Sequence, residues 1–244
     1  MYVYREASVY DHPQFFEDFL NRRNRDNSPN NVIEGPIVHQ LIGNIKDKTI
    51  LDLGCGDGRF GNELLSRGCT SYRGIDGSEN MVRVAKDHVS ELGGEIQLAS
   101  LQTIDLKQRQ YDLVVSRLVF HYLQDLKTVF RNVYYSLKDD GKFVFSVQHP
   151  LLLSSTKSAE ALGKKTAWLV DDYFQSGERI EPWIGKNVVK YHRTIEEYFQ
   201  LLKQAGFTIH DIREGTPSPD FFEDKQEYER RMRIPLFLLF SCGK

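Results

Sequence analysis

Cysteine is scarce in this chain: Cys55, Cys69 and Cys242 are the only three among 244 residues. Their odd number and wide scatter exclude a disulfide framework and give no metal-ligand spacing, so no metal site is expected. A reduced, cytoplasmic protein is the plain reading. No apolar run approaches the length needed to span a bilayer, and no membrane association is expected. Met1-Tyr2-Val3-Tyr4-Arg5-Glu6 lacks the basic-then-apolar order of a secretion signal. An excess of one charge is also missing. The 32 Lys and Arg against 34 Asp and Glu leave a net of -2, so no global field draws the chain to nucleic acid. Two arginine clusters, Arg22/Arg23/Arg25 and Arg230/Arg231/Arg233, read as solvated faces. There is no internal repeat. What is present, 40% hydrophobic and 27% charged residues, is ordinary globular composition. The length suits one α/β domain covering 1–244.

Apolar strand-like runs alternate with helical periodicity along most of the chain. Strands are expected at Ile50–Leu53, Tyr72–Ile75, Glu95–Ala99, Tyr111–Ser116 and Lys142–Gln148, with two more at Phe207–Arg213 and Leu236–Cys242. Helices are expected over Phe15–Leu20, from Pro36, over Gly58–Arg67, from Ser78 to about Leu92, and over Asp125–Leu137 ended by Gly141. Thr194-Ile195-Glu196-Glu197 reads as a capping box opening a helix to about Ala205. Repeated strand–helix units imply a doubly wound, Rossmann-like parallel sheet. The last two strands lack an obvious crossover helix, which makes an antiparallel last strand plausible. Residues 1–35 read as an N-terminal helical cap. From 149 to 191 the rhythm breaks into an aromatic-rich, irregular segment, best read as a lid insertion.

Ile50 to Gly61 combines an apolar strand, closely spaced glycines and a helix start, and Tyr72-Arg73-Gly74-Ile75-Asp76 adds a second strand ending in an acid. Glycines let the backbone approach a ligand closely, and the acid can accept from a ribose diol. The pair suits a nucleoside-bearing cofactor. Gly56-Asp57-Gly58-Arg59-Phe60-Gly61 also matches the dinucleotide fingerprint. Against a nicotinamide stand the earlier Gly54, the carboxylate of Asp52 inside the first strand, and the lack of a second catalytic domain.

Leu51-Asp52-Leu53-Gly54-Cys55-Gly56-Asp57-Gly58 resembles the first motif of the class I S-adenosylmethionine-dependent methyltransferases. Gly74-Ile75-Asp76-Gly77-Ser78 resembles their second. Tyr111–Ser116 and Leu137-Lys138-Asp139-Asp140-Gly141-Lys142-Phe143 resemble their fourth strand and the turn into the fifth. The resemblance implies a seven-stranded sheet with its last strand reversed, and S-adenosylmethionine as cofactor. It places Gly54, Cys55 and Gly56 along the methionine moiety and Asp76 with Gly77 at the ribose. Ser116 and Arg117 fall beside the amino group, and Asp52 would orient the loop or that group. Many members carry an acid beside the adenine after the third strand. Here Ala99-Ser100-Leu101 stands in its place, leaving Ser100 or the Leu101 backbone to make that contact.

Methyl transfer needs positioning and exclusion of water more than a fixed catalytic motif, and none is evident. His121, His149 and His192 are candidate bases, because histidine titrates near neutrality. Tyr122, Trp168 and Tyr191 are candidates to face the acceptor, with Trp183 and Tyr173 able to enclose an apolar or cationic one. Arg22 or Arg25 could reach the cofactor's carboxylate. The leading expectation is a methyltransferase acting on O, N or C of a small molecule. The arginine clusters keep an RNA- or tRNA-modifying enzyme open, though the mild acidity argues against nucleic acid, and a catalytically silent binding subunit is the remaining alternative.

Overall fold

A computed structural model of the chain describes residues 2–160 and 163–244. Positions 1, 161 and 162, inside the expected cap and lid segments, lie outside the described residues. The chain opens with β1 (Val3–Tyr4), a 3-10 turn at Glu6–Asp11, and α1 (Pro13–Arg23). Proline suits this helix start because its missing N–H would have no partner there. A π-helical turn at Asn30–Glu34 runs into α2 (Gly35–Ile42). The alternating core follows: β2 (Thr49–Leu53), α3 (Arg59–Ser66), β3 (Ser71–Asp76), α4 (Glu79–Val89) and β4 (Glu95–Leu98). It continues through β5 (Tyr111–Arg117), α5 (Leu126–Ser136) and β6 (Leu137–Gln148). After α6 (Pro150–Ser154) and α7 (Lys157–Glu160) come β7 (Gly177–Trp183) and β8 (Lys186–His192). The chain closes with α8 (Ile195–Ala205), β9 (Thr208–Arg213), α9 (Lys225–Arg231) and β10 (Phe237–Gly243).

The main sheet has the order β4-β3-β2-β5-β6-β10-β9. Its strands run parallel from β4 to β6, and β10 lies antiparallel to both β6 and β9. Strand periodicity divides the core between two faces. Leu51, Leu53, Val114, Phe143 and Phe145 pack with residues of α5 and α8. Ile50, Leu113, Val115 and Val144 pack on the other face, with residues of α2 and α3. Each such side chain contributes about 1.5–3 kcal/mol on full burial. The strand order reverses between β2 and β5, which opens a ligand crevice at their carboxyl ends.

Four expectations change. The helix expected at Phe15–Leu20 reaches Arg23, because its arginines are good helix formers. Gly141 does not end a helix. It lies inside β6, which starts at Leu137 and shifts register against β5 between Tyr111 and Leu113. A polar helix, α9, does separate the last two strands, and none of its residues is buried. The 149–191 segment is also more regular than its composition suggests. β7 and β8 form an antiparallel hairpin, and β1 adds to β8 in parallel, giving a second sheet of order β1-β8-β7.

Candidate functional site

The turn after β2 is fixed from below by β3. The Gly54 and Cys55 amides both donate to the Ile75 carbonyl, at 2.7 and 3.0 Å. Gly54 has φ +78°, and a Cβ there would stand 2.2 Å from Val119 Cγ2. Gly56, at φ +57°, has open space where a Cβ would be, the cradle that a closely approaching ligand needs. Its amide donates to Asp76 Oδ2 at 2.9 Å, and the Ser78 amide donates to Oδ1 at 2.9 Å. Burial pushes the Asp76 carboxyl up, against the pull of these amides. The glycine cradle and the carboxylate therefore form one bonded unit, with room and polarity that fit a nucleoside bearing an amino-acid tail.

Gly61 serves the same turn from behind. A Cβ there would meet the Tyr72 ring at 2.3 Å, so glycine lets α3 close onto β3. Tyr72 Oη then donates to Asp52 Oδ2 at 2.9 Å. Burial pushes the Asp52 carboxyl up to about 7. The Asp52 side chain thus meets a tyrosine on the helix side of the sheet, and among the described residues no hydrogen bond joins it to the glycine loop. The Ser116 hydroxyl donates to the Leu53 carbonyl at 2.7 Å and ties β5 to the end of β2. Arg117 turns the same way as Asp52. Its guanidinium grips Glu34 in a buried ion pair and stacks on Phe60 at 4.6 Å. Ser146 Oγ donates to the same carboxylate at 2.7 Å. Arg117, followed by this hydroxyl, holds the Glu34 carboxyl down despite its burial.

The N-terminal turn covers the β3–β4 side. Asp11 Oδ1 accepts from Ser78 Oγ at 2.6 Å and from the Asn80 amide at 3.1 Å, at the start of α4. Glu6 reaches Ser100 Oγ and Gln102 Nε2, at 3.3 and 3.1 Å. Leu101 is buried beside them. Ala7 packs on Gly77, where a Cβ would stand 3.0 Å away. Arg22 and Arg25 are exposed. Arg23 is half-buried, and burial followed by the Arg117 charge lowers its pKa.

On the β5–β6 side the β7–β8 hairpin sits over the strand ends. Directly paired residues share a face, so Glu181, Trp183, Val188 and Lys190 point one way, and Glu178 and Tyr191 point the other. Trp183 stacks on Tyr122 at 6.1 Å and meets Tyr10, Phe15 and Phe19 edge-on. Lys190 is buried, with Nζ 4.4 Å over the Trp183 ring and 2.8 Å from Gln148 Oε1. Glu181 Oε2 is 2.7 Å from the same ammonium, yet the approach is off-line and that oxygen has no hydrogen bond. Tyr191 belongs to the opposite face, where its hydroxyl accepts from Arg5 Nη1 at 3.2 Å. Trp168 is half-buried and its indole Nε1 has no partner among the described residues.

Each of the three candidate bases makes at least one hydrogen bond. His121 Nδ1 accepts from the Gln148 amide at 3.3 Å, which leaves the ring proton on Nε2. His149 caps α6 through Nδ1, at 3.2 Å from the Leu151 amide, and its Nε2 donates to Glu214 at 3.2 Å. His192 Nε2 donates to the Tyr173 carbonyl at 2.7 Å, and its Nδ1 is buried without a partner. Burial lowers the pKa of all three. Among the described residues no cluster of metal-ligating side chains occurs, and no helix is long and apolar enough to cross a membrane.

Residues 51–145 match the family described as a methyltransferase domain. The chain is 31% identical over 220 residues to an uncharacterised protein of Haemophilus influenzae, covering 86% of each. It is 30% identical to a malonyl-[acyl-carrier protein] O-methyltransferase of Priestia megaterium, covering 78% of this chain and 80% of that one. An S-adenosylmethionine-dependent methyltransferase of Mesorhizobium loti has the same fold, with a TM-score of 0.81 and 31% identity over 90% of this chain and 99% of that one. The chain belongs to the S-adenosylmethionine-dependent methyltransferases, and its cofactor is S-adenosylmethionine.

Lys190, Glu34, Glu6 and Asp11 escaped the sequence reading. A strand-like alternation in Lys186-Asn187-Val188-Val189-Lys190-Tyr191-His192 could have exposed Lys190, since it shares parity with Val188. No local signal marks the other three.

Proposed function

We propose that the chain methylates an oxygen of a small carboxylic acid that enters beneath the β7–β8 hairpin, with 149–191 acting as its lid. In this reading Asp76 holds the ribose, with Gly77 beside it, and Gly54, Cys55 and Gly56 admit the amino-acid tail. Ser100 and Leu101 line the base, and Ser116 keeps the β5 end against the glycine turn. Asp52, Arg117 and Glu34 support the turn from the helix side. When bound, the cofactor supplies a methyl carbon already activated on sulfonium, so the chain's own residues mainly orient the acceptor and keep water out.

The observation that carries this reading is the engagement of all three candidate bases. His121 and His149 each accept a backbone amide through Nδ1, and the free nitrogen of His192 is buried. Tyr10 and Tyr122 stay protonated, since burial raises both. A carboxylic acid needs no base, because at about pKa 4 it is ionised near neutrality. Lys190 and Trp183 agree with this choice. The aromatic face that would take a cationic acceptor already holds an ammonium of the chain itself. The malonyl-[acyl-carrier protein] O-methyltransferase relative points to the same acceptor atom.

Methyl transfer from labelled S-adenosylmethionine to a panel of small carboxylic acids, phenols, amines and total tRNA tests the reading. Base-labile methyl esters are expected. Label in amines or in RNA overturns it. Asp76→Ala is expected to weaken S-adenosylhomocysteine binding at least tenfold by calorimetry, while the ligand-free protein still unfolds cooperatively.

A further inference from the structure

The turn after β4 carries no acid of its own, yet a carboxylate stands there. Glu6 has φ +50°, in the left-handed region that a glutamate rarely adopts. Such strain persists only where the surroundings enforce it. Here the enforcement is visible on both sides. β1 pairs with β8 just before Glu6, and Asp11 fastens the far end of the turn to α4. Between these anchors the Glu6 side chain reaches the turn after β4, where Oε2 accepts from Ser100 Oγ at 3.3 Å and Oε1 accepts from Gln102 Nε2 at 3.1 Å.

The turn it reaches belongs to the cofactor crevice. The Ala99 amide donates to the Asp76 backbone carbonyl at 3.0 Å, so the residues after β4 are tied to the ribose acid. β3 lies between β2 and β4. A nucleoside anchored on Asp76 with its tail over the β2 glycines sends its base the other way, to Ala99–Gln102. Adenine presents an exocyclic amine there, and an amine needs an acceptor. An ionised carboxylate accepts at about four lone-pair sites, of which Ser100 and Gln102 use two. No salt bridge neutralises Glu6 among the described residues, and it is only partly buried.

We propose that Glu6, delivered by the N-terminal turn, is the adenine-recognition residue, accepting the exocyclic amine at the end of β4. The proposal rests on Asp76 as the ribose anchor. A base bearing a 6-oxo group offers Glu6 a lone pair where adenine offers a proton, so Glu6 makes the site selective for adenine. A charge-assisted bond of this kind corresponds to about ten- to a hundredfold in affinity.

Calorimetry of the full chain with S-adenosylhomocysteine and its 6-oxo counterpart, S-inosylhomocysteine, tests this. The unaltered protein is expected to favour the adenosyl compound at least tenfold. Glu6→Ala removes most of that preference. Glu6→Gln, nearly the same shape but able to donate to a 6-oxo group, narrows or inverts it. Unchanged preference in both variants overturns the role of Glu6 while leaving the Asp76 assignment intact. Failure of the unaltered protein to bind S-adenosylhomocysteine overturns both. Thermal unfolding of the ligand-free variants separates loss of recognition from loss of the turn.

Discussion

Asp52 occupies a position where burial and charge conflict. Its carboxyl is pushed up to about 7 by desolvation, with one tyrosine hydroxyl and Arg117 opposing. The native state therefore holds a proton that the unfolded chain releases near pH 4. Stability contributed by that proton is complete below pH 4 and is lost as pH rises towards 7. Asp52→Asn keeps the acceptor for Tyr72 and removes the titration. Relative to the unaltered protein it is expected to be similar in stability at pH 4 and more stable at pH 8, by on the order of 4 kcal/mol. Urea unfolding at the two pH values, without ligand, measures the difference. An advantage that stays constant across this range contradicts the assignment. At this scale the sequence is legible where the chemistry is local. Gly54, Gly56 and Asp76 announce themselves because a short motif and the next strand make the unit. Glu34 bonds 83 residues away, Glu6 reaches 94, and Lys190 meets Gln148 across 42. Only the fold creates those partnerships.

Elements were readable to the extent that their burial was uniform. β2, β5 and the second half of β6 are apolar because helices cover both faces. The β7 strand, Gly-Glu-Arg-Ile-Glu-Pro-Trp, hides its alternation, since a buried glutamate stands on its inner face and an exposed isoleucine on its outer one. α9 carries no apolar stripe at all. The junction of α2 with β5 and β6 depends on the Glu34–Arg117 pair. Glu34→Ala is expected to cost about 3–5 kcal/mol, because it leaves a buried guanidinium uncompensated. Replacing both residues by methionine is expected to recover much of the loss. Chemical denaturation of the single and double variants makes the comparison, and a small cost in the single variant argues against the pair's burial.

Across the whole molecule, the crevice draws on two sheets and the segment that joins them. The glycine turn and Asp76 belong to the main sheet, while Trp183, Lys190 and the Glu6 turn hang from the smaller one. On the proposed binding mode, S-adenosylhomocysteine is expected to stabilise both. At a hundred times its dissociation constant it adds about 2.7 kcal/mol, which raises Tm by roughly 5–10 °C for a chain of this size. Differential scanning calorimetry reads this directly, and no shift is the outcome expected of a protein that keeps the fold without the cofactor. The C-terminal arginine cluster behaves differently from a free basic patch. Arg230 and Arg231 share Glu227, and burial together with the Arg230 charge lowers the pKa of Arg231.

β10 lies between β6 and β9, so among the described residues β9 has one neighbouring strand, and that neighbour comes later in the chain. In a chain that folds in order of sequence, the 208–213 strand has no native partner until 237–243 is in place. Residues 237–243 join it to the sheet by pairing with Lys142–Gln148 on their other side. The sheet thus cannot lock from the N-terminus onward: β6 and β9 each keep a bare edge until β10 enters between them.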